Sequence, residues 1–153
     1  MFSKQTEQYL KEVQIPLRLS CVTESGWPMV LSLWYVYMDG KIYCATVETA
    51  KVVEYLRAEP RCAFEVAADE PPYCGIRGQA RATISKPRGV EILKMLLERY
   101  LGGTDSSLAK KLLKEGRSEV AIELQPINCT IWDFRERMKD AVTKGRTTPC
   151  PSA

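Results

Sequence analysis

A chain of 153 residues, of which 45% are hydrophobic, suits one globular domain with a single core. Its formal net charge of +3 is spread along the chain and forms no basic stripe of the kind that nucleic-acid-binding proteins use. The absence of histidine excludes histidine-dependent nucleophilic catalysis, histidine zinc sites and imidazole-ligated haem within this chain.

The apolar runs and the cysteines bear on the compartment. No apolar run reaches membrane-spanning length and the first residues lack a signal-peptide pattern, so we expect a cytoplasmic protein without a membrane segment. Five cysteines fall in predicted strands without any CxxC pair, and we expect reduced core thiols at Cys21, Cys44, Cys62, Cys74 and Cys129. Cys150 lies in a proline-containing tail and is expected to be exposed.

The first part of the chain predicts one helix and three strands. Residues 3–14 have the spacing of an amphipathic helix, and residues 15–23 read as a strand. Residues 28–38 form a long predicted strand, which the Asp39-Gly40 turn joins to a strand at 41–45. Both faces of the 28–38 strand are apolar, so one face would fill a barrel and the other would meet a partner chain or a flat ligand.

The remaining elements alternate between strands and single helices. A helix at 50–58, with Thr49 as its N-cap, precedes strands at 61–68 and 73–84. A helix reaches residue 101 with Val90 and Leu101 expected on its buried face, and a second helix spans 106–114. Pro126 separates the last two predicted strands, 119–125 and 128–134.

About six antiparallel strands with helices packed outside them predict a mostly β protein, a small barrel, as its fold class. We expect residues 1–134 to form this single domain with its N-terminal helix. The charged, proline-containing tail, residues 135–153, is expected to be flexible or to contact a partner.

One local feature suggests an anion site. Lys51 lies in the first turn of the predicted 50–58 helix, at the positive end of the helix dipole, where acidic side chains are preferred. A bound phosphate would explain why a lysine occupies this position, because free amides, the Thr46 and Thr49 hydroxyls and the ammonium group would all face the anion. The alternative is an exposed lysine whose ammonium group is solvated.

Several stretches occur in an order that is typical of a known family. They are Gly26-Trp-Pro-Met-Val30, the strand ending in Trp34-Tyr35, residues 39–46 (Asp-Gly-Lys-Ile-Tyr-Cys-Ala-Thr), Thr49-Ala-Lys51, Leu56-Arg57 with Glu59-Pro-Arg61, Gly75-Ile-Arg-Gly-Gln-Ala80 and Ile131-Trp132. Together they span about residues 15–134 and resemble the pyridoxamine 5'-phosphate oxidase-like family of FMN-binding split barrels, the flavin/deazaflavin oxidoreductases. The resemblance implies a homodimeric split β-barrel that holds a flavin-type cofactor between its subunits.

The resemblance also implies which residues contact the cofactor. The isoalloxazine ring would lie against Ser32, Leu33, Trp34 and Tyr35, largely through their backbone groups. The phosphate would lie against Thr46, Thr49 and Lys51, with Ala45 and Ala50 beside them. Further contacts would come from Tyr73, Arg77 and Trp132.

Each of these positions has a simpler explanation. Trp34, Tyr35 and Trp132 can be core or dimer aromatics, Arg77 can be solvated, and Tyr73 can pack a loop. The segment Trp132-Asp-Phe-Arg-Glu-Arg137 also departs from the Arg/His motif with which the oxidases proper grip pyridoxal phosphate, so that substrate is not expected.

The resemblance implies an FMN-dependent oxidoreductase that acts on a small-molecule substrate, with NAD(P)H as a donor. It names no catalytic side chain and no metal site, since the cofactor carries the chemistry. Two alternatives stay open: an F420-dependent reductase, and a non-catalytic protein that binds or senses a flavin or haem.

Overall fold

The computed structural model describes residues 2–140 and 149–151, and within them the chain forms four helices and seven strands. The helices are α1 (Lys4–Glu12), α2 (Lys51–Ala58), α3 (Gly89–Leu101) and α4 (Ser107–Leu112). The strands are β1 (Leu17–Val22), β2 (Pro28–Leu33), β3 (Val36–Met38), β4 (Lys41–Val47), β5 (Arg61–Ala67), β6 (Cys74–Ser85) and β7 (Glu119–Asp133). None of the helices described is long and apolar enough to span a membrane.

The seven strands form one antiparallel sheet in the order β2-β1-β5-β6-β7-β4-β3. Its two edge strands, β2 and β3, are consecutive in the chain and are joined only by Trp34 and Tyr35. The sheet must therefore curl until its edges approach each other, but no ladder of hydrogen bonds joins them. The fold class is the predicted one, a mostly β split barrel with flanking helices, although it has one strand more than expected.

The core lies inside the curled sheet and beneath α1 and α2. In β1 the alternation of side chains buries Leu17 and Leu19 while Arg18 and Ser20 face outward. Ser3 caps α1 by accepting a hydrogen bond from the Thr6 amide at 3.2 Å, and this helix packs its apolar stripe on the same core.

Two predicted strand boundaries need correction. The strand expected at 28–38 is broken after Leu33, where the chain crosses from one edge of the sheet to the other. The two strands expected around Pro126 are one 15-residue strand, β7. Pro126 lies opposite Ala80, next to a bulge at Ile127, where the ladder tolerates a residue without an amide hydrogen.

Two helix details were also wrong. The N-cap of α2 is Ala50 rather than Thr49, and no side chain caps this helix, so the helix begins at Lys51. In α3 the residues expected on the buried face include Val90 and Leu101, but both are exposed. Ile92 and Leu96 take their place against the sheet.

The cysteine prediction fails for one pair. Cys74 forms a disulfide with Cys150, their Cα atoms 5.6 Å apart, whereas Cys21, Cys44, Cys62 and Cys129 are free. Because of this bond, Cys150 is half-buried against the start of β6 rather than exposed. The prediction of a flexible or partner-contacting tail concerns mainly residues 141–148, 152 and 153, which lie outside the described residues.

Candidate functional site

A groove opens where the sheet is split, and we call it the β2–β4 groove. It has a volume of about 270 Å³. Its walls come from the ends of β2 and β4, the start of β7, and helices α3 and α4. The lining residues are Ser32, Leu33, Trp34, Ala45, Thr46, Val47, Leu93, Leu96, Leu112, Arg117 and Glu119. Five of the twelve site residues implied by the sequence therefore meet in one place: Ser32, Leu33, Trp34, Ala45 and Thr46.

The aromatic pair at the split has two different environments. The Trp34 ring stacks on Tyr100 with centroids 5.0 Å apart and an interplanar angle of 5°, so one of its faces is covered. Tyr35 is fully buried, and its hydroxyl donates to the carbonyl of Leu10 at 3.0 Å. Burial raises the pKa of this tyrosine. Its amide donates to the Tyr100 hydroxyl at 3.3 Å, so Tyr35 belongs to the core and does not line the groove.

The predicted phosphate site lies at and just beyond the end of the groove. Thr46 lines the groove, whereas Thr49, Ala50 and Lys51 follow it in the turn to α2. The uncapped start of α2 leaves first-turn amides free of side-chain acceptors. Lys51 is 70% exposed, and its ammonium group pairs with Glu54 at 2.8 Å.

Glu48 fixes the turn that carries these residues. Its carboxylate accepts hydrogen bonds from Lys86 at 2.8 Å, Ser118 at 2.7 Å and Arg57 at 3.2 Å. These bonds lower the pKa of Glu48 from 4.5 to about 2. One side chain thus links the turn after β4 to α2, to the entry of α3 and to the start of β7.

Six of the eleven lining residues were not predicted from the sequence, and they include both charged ones, Arg117 and Glu119. The β4–β7 ladder pairs Val47 with Glu119, which brings Glu119 to the end of β4 that lines the groove. The Glu119 side chain is only 4% exposed and accepts from the Arg117 Nε at 2.8 Å. No local motif marks these residues, because only the long-range strand pairing places them at the groove.

Tyr73, Arg77 and Trp132 do not reach this groove. Trp132 pairs with Gly75 at the far end of β7 from Glu119, roughly 40 Å away along an extended strand. Tyr73 is close by, since its carbonyl accepts from the Phe134 amide at 2.9 Å. Arg77 lies on the open face of the sheet, in a depression of about 660 Å³ that it shares with Val30.

Among the described lining residues, Arg117 and Glu119 are the only charged side chains. The other lining residues are apolar, apart from Ser32 and Thr46. No group of acidic, cysteine or histidine side chains suited to a metal occurs in the described residues. The groove is therefore suited to a ligand that is mostly apolar and carries a polar or charged group.

No family model matches the sequence, and no curated protein matches it. Among solved structures, a conserved hypothetical protein from Mycobacterium tuberculosis has a TM-score of 0.74 at 17% identity, over 97% of this chain and 93% of that chain. An F420 reductase has a TM-score of 0.68 at 21% identity, over 84% of this chain and 98% of its own.

A third structure comes from a Listeria innocua protein whose assignment as a pyridoxamine 5'-phosphate oxidase is provisional. It has a TM-score of 0.60 at 16% identity, over 81% of this chain and 92% of its own. Identities this low show similarity of fold. The chain has the split-barrel fold of the pyridoxamine 5'-phosphate oxidase-like proteins.

Proposed function

We propose that this chain is an oxidoreductase that binds a flavin-type cofactor, FMN or F420, in the β2–β4 groove. One observation carries the proposal. The ends of β2 and β4, which are not paired with each other, meet at the groove. They bring together five residues that the resemblance had implied as cofactor contacts: Ser32, Leu33, Trp34, Ala45 and Thr46. The fold of an F420 reductase supports the same cofactor class.

The residues present fit such a cofactor. The ring would lie against residues 32–34, and its phosphate would lie near Thr46 and the uncapped start of α2. When bound, the cofactor supplies hydride or electron transfer, with NAD(P)H or another small planar molecule as its reaction partner. The side chains named here bind and orient it, and none needs to act as an acid or nucleophile.

A second copy of the chain would complete the site. Tyr73, Arg77 and Trp132 cannot reach the groove of their own chain, so in a homodimer they would serve the partner's groove. The open face of the sheet is available for this contact, and Val30 on that face is 66% exposed. Light scattering on the purified protein should give the mass of a dimer.

The first experiment is an absorbance spectrum, followed by titration with FMN, F420 and haem. We expect one of the two flavin-type cofactors to bind and to be reduced by a nicotinamide donor. Thr46→Val should weaken its binding about 10-fold, because a hydrogen bond to the phosphate is lost. Lys51→Ala tests the sequence-based phosphate site in the same titration.

The control is Lys110→Gln, which removes an exposed charge from α4 near the groove. If none of the three ligands binds, the proposal is wrong. If the cofactor binds but no donor reduces it, the chain is a flavin-binding or sensing protein, which is the alternative function.

A further inference from the structure

Arg117 is the one cation among the described residues that line the β2–β4 groove. Its neighbour Glu119 is held on β7 opposite Val47, at the same end of the groove as Thr46. A carboxylate that is 4% exposed requires a charged or hydrogen-bonding partner, and Arg117 provides it through Nε at 2.8 Å. The pair therefore fixes the guanidinium group at the wall of the groove.

Most of the donors of this guanidinium group are free. Only Nε is bonded to a protein acceptor within residues 2–140 and 149–151, and neither Nη atom has one. The Arg117 side chain is 37% exposed, so a ligand can approach it. Two Nη groups on a planar fork match the geometry of two phosphate oxygens. Because Glu119 already holds the arginine in place, little side-chain freedom is lost when the anion binds.

Lys51 is less suited to the same task. It lies outside the groove lining, and its ammonium group is already paired with Glu54. The hydrogen bond that Lys51 donates to Glu54 raises the pKa of Lys51, and the charge of Glu24 adds to the effect. A phosphate at Lys51 would thus meet two carboxylates, whereas at Arg117 it would meet one that already accepts a hydrogen bond from that arginine.

We infer that Arg117, held by the buried carboxylate of Glu119, binds the phosphate group of the ligand in the β2–β4 groove, and this assignment rests on the proposed function. Arg117 is the specificity residue of the groove: it favours phosphorylated flavins over the same ring without phosphate. Lys51 has a smaller effect because it lies beyond the groove.

The test compares FMN with riboflavin, which has the same ring and side chain but no phosphate. Affinities for both are measured by fluorescence titration in the wild type, Arg117→Gln, Lys51→Gln and the control Lys110→Gln. Arg117→Gln should lower the preference for FMN over riboflavin by about 10- to 100-fold, the range expected for charge-assisted hydrogen bonds. Lys51→Gln should lower it less, and the control should leave it unchanged.

Unchanged riboflavin affinity shows that a variant is folded. If Arg117→Gln disturbs folding, Arg117→Lys keeps the charge without the fork and should give an intermediate loss of preference. The assignment is wrong if Arg117→Gln keeps the wild-type preference for FMN over riboflavin. It is also wrong if Lys51→Gln lowers that preference more than Arg117→Gln does. Neither result contradicts the proposed function. The same comparison of variants applies to F420, for which unchanged affinity in Arg117→Gln overturns the assignment equally.

Inorganic phosphate separates the assignment from the proposed function, because it probes the anion site without the ring. Millimolar phosphate should raise the Tm of the wild type and of Lys110→Gln, but not that of Arg117→Gln. If phosphate protects in this pattern while no flavin binds, the proposed function fails and an anion site at Arg117 remains. A wild type that responds to neither phosphate nor flavin overturns both.

Discussion

At the scale of single residues, Glu48 shows how one carboxylate organises the approach to the groove. Its three hydrogen-bond donors come from different parts of the chain: Arg57 from α2, Lys86 from the segment before α3, and Ser118 from the residue before β7. The Glu48 amide also donates to the Ser118 carbonyl at 2.7 Å. The turn that carries Thr49 and Lys51 is therefore held by one residue, through both its side chain and its amide.

This arrangement predicts a pH dependence of stability. The pKa of Glu48 is lowered to about 2 in the folded protein, so its contribution is fully present above pH 4.5 and is lost as the pH falls towards 2. We expect Glu48→Gln to reduce the free energy of unfolding at pH 6 and to have progressively less effect below pH 4.5. Urea unfolding at pH 6, 4 and 3 measures this.

Glu115→Gln is the matched control, since Glu115 is exposed and forms no ion pair among the described residues. It should unfold like the wild type at each pH. A constant difference between Glu48→Gln and the wild type from pH 6 to pH 3 would contradict the assignment of this stability to the ionised carboxylate.

Site residues differ in how readily sequence reveals them. Ser32 was implied by the resemblance alone, and Thr46 by both the resemblance and the argument about the charge at the start of α2. Arg117 and Glu119 could not be named from the sequence, since their position depends on the pairing of β4 with β7 across more than 70 residues of sequence. Tyr35 was named from its position, but its side chain lies in the core, where its hydroxyl bonds to the carbonyl of Leu10.

At the scale of elements, the close approach of α3 to β7 sets the wall of the groove. Gly89, the first residue of α3, is buried against the backbone of Glu119 and Val120. A Cβ atom at this position would lie 2.8 Å from the Val120 nitrogen and closer still to the Glu119 carbonyl. Only glycine permits this contact, and it brings Leu93 and Leu96 of α3 into the groove lining.

Gly89→Ala should therefore push α3 away from β7 and reduce the free energy of unfolding by about 1–3 kcal/mol. Cofactor affinity should fall with it, because the groove wall moves. Val90→Ala is the control: Val90 is the next residue of the same helix but is exposed, and its truncation should cost less than about 0.5 kcal/mol. Denaturant unfolding of both variants measures the difference. Equal stabilities of Gly89→Ala and Val90→Ala would show that the contact between Gly89 and β7 is not tight.

Elements were predicted best where local chemistry decides the backbone. The Asp39-Gly40 turn was found from sequence because both residues adopt positive φ, at 51° and 76°, and β3 and β4 pair around it as predicted. The strand break predicted at Pro126 was wrong. A proline usually ends a central strand, but here a bulge at Ile127 accommodates it. The cap of α2 misled as well, because a threonine next to a helix start need not be the residue that caps it.

At the scale of the whole molecule, the split between β2 and β3 gives the protein its groove. In a closed barrel the two edge strands would be hydrogen-bonded to each other. Here they are not, and Trp34 and Tyr35 connect them across the gap. The number of strands and the turns and helices between them predicted a barrel, but they did not predict where the sheet stays open. The position of the opening depends on the break after Leu33, where no proline or glycine in the sequence indicates that a strand ends.

The bond between Cys74 and Cys150 has a consequence for the connectivity of the molecule. It closes a covalent ring that contains β6, α3, α4 and β7, with the exposed α3–α4 loop, residues 102–105, as part of its circumference. A protease site inserted in this loop should therefore give a single species on a non-reducing gel and two fragments after reduction. In Cys150→Ser the cut should give two fragments on both gels, and the same result in the parent would contradict the ring. A chain nicked there would stay in one piece, as a macrocycle opened at one point.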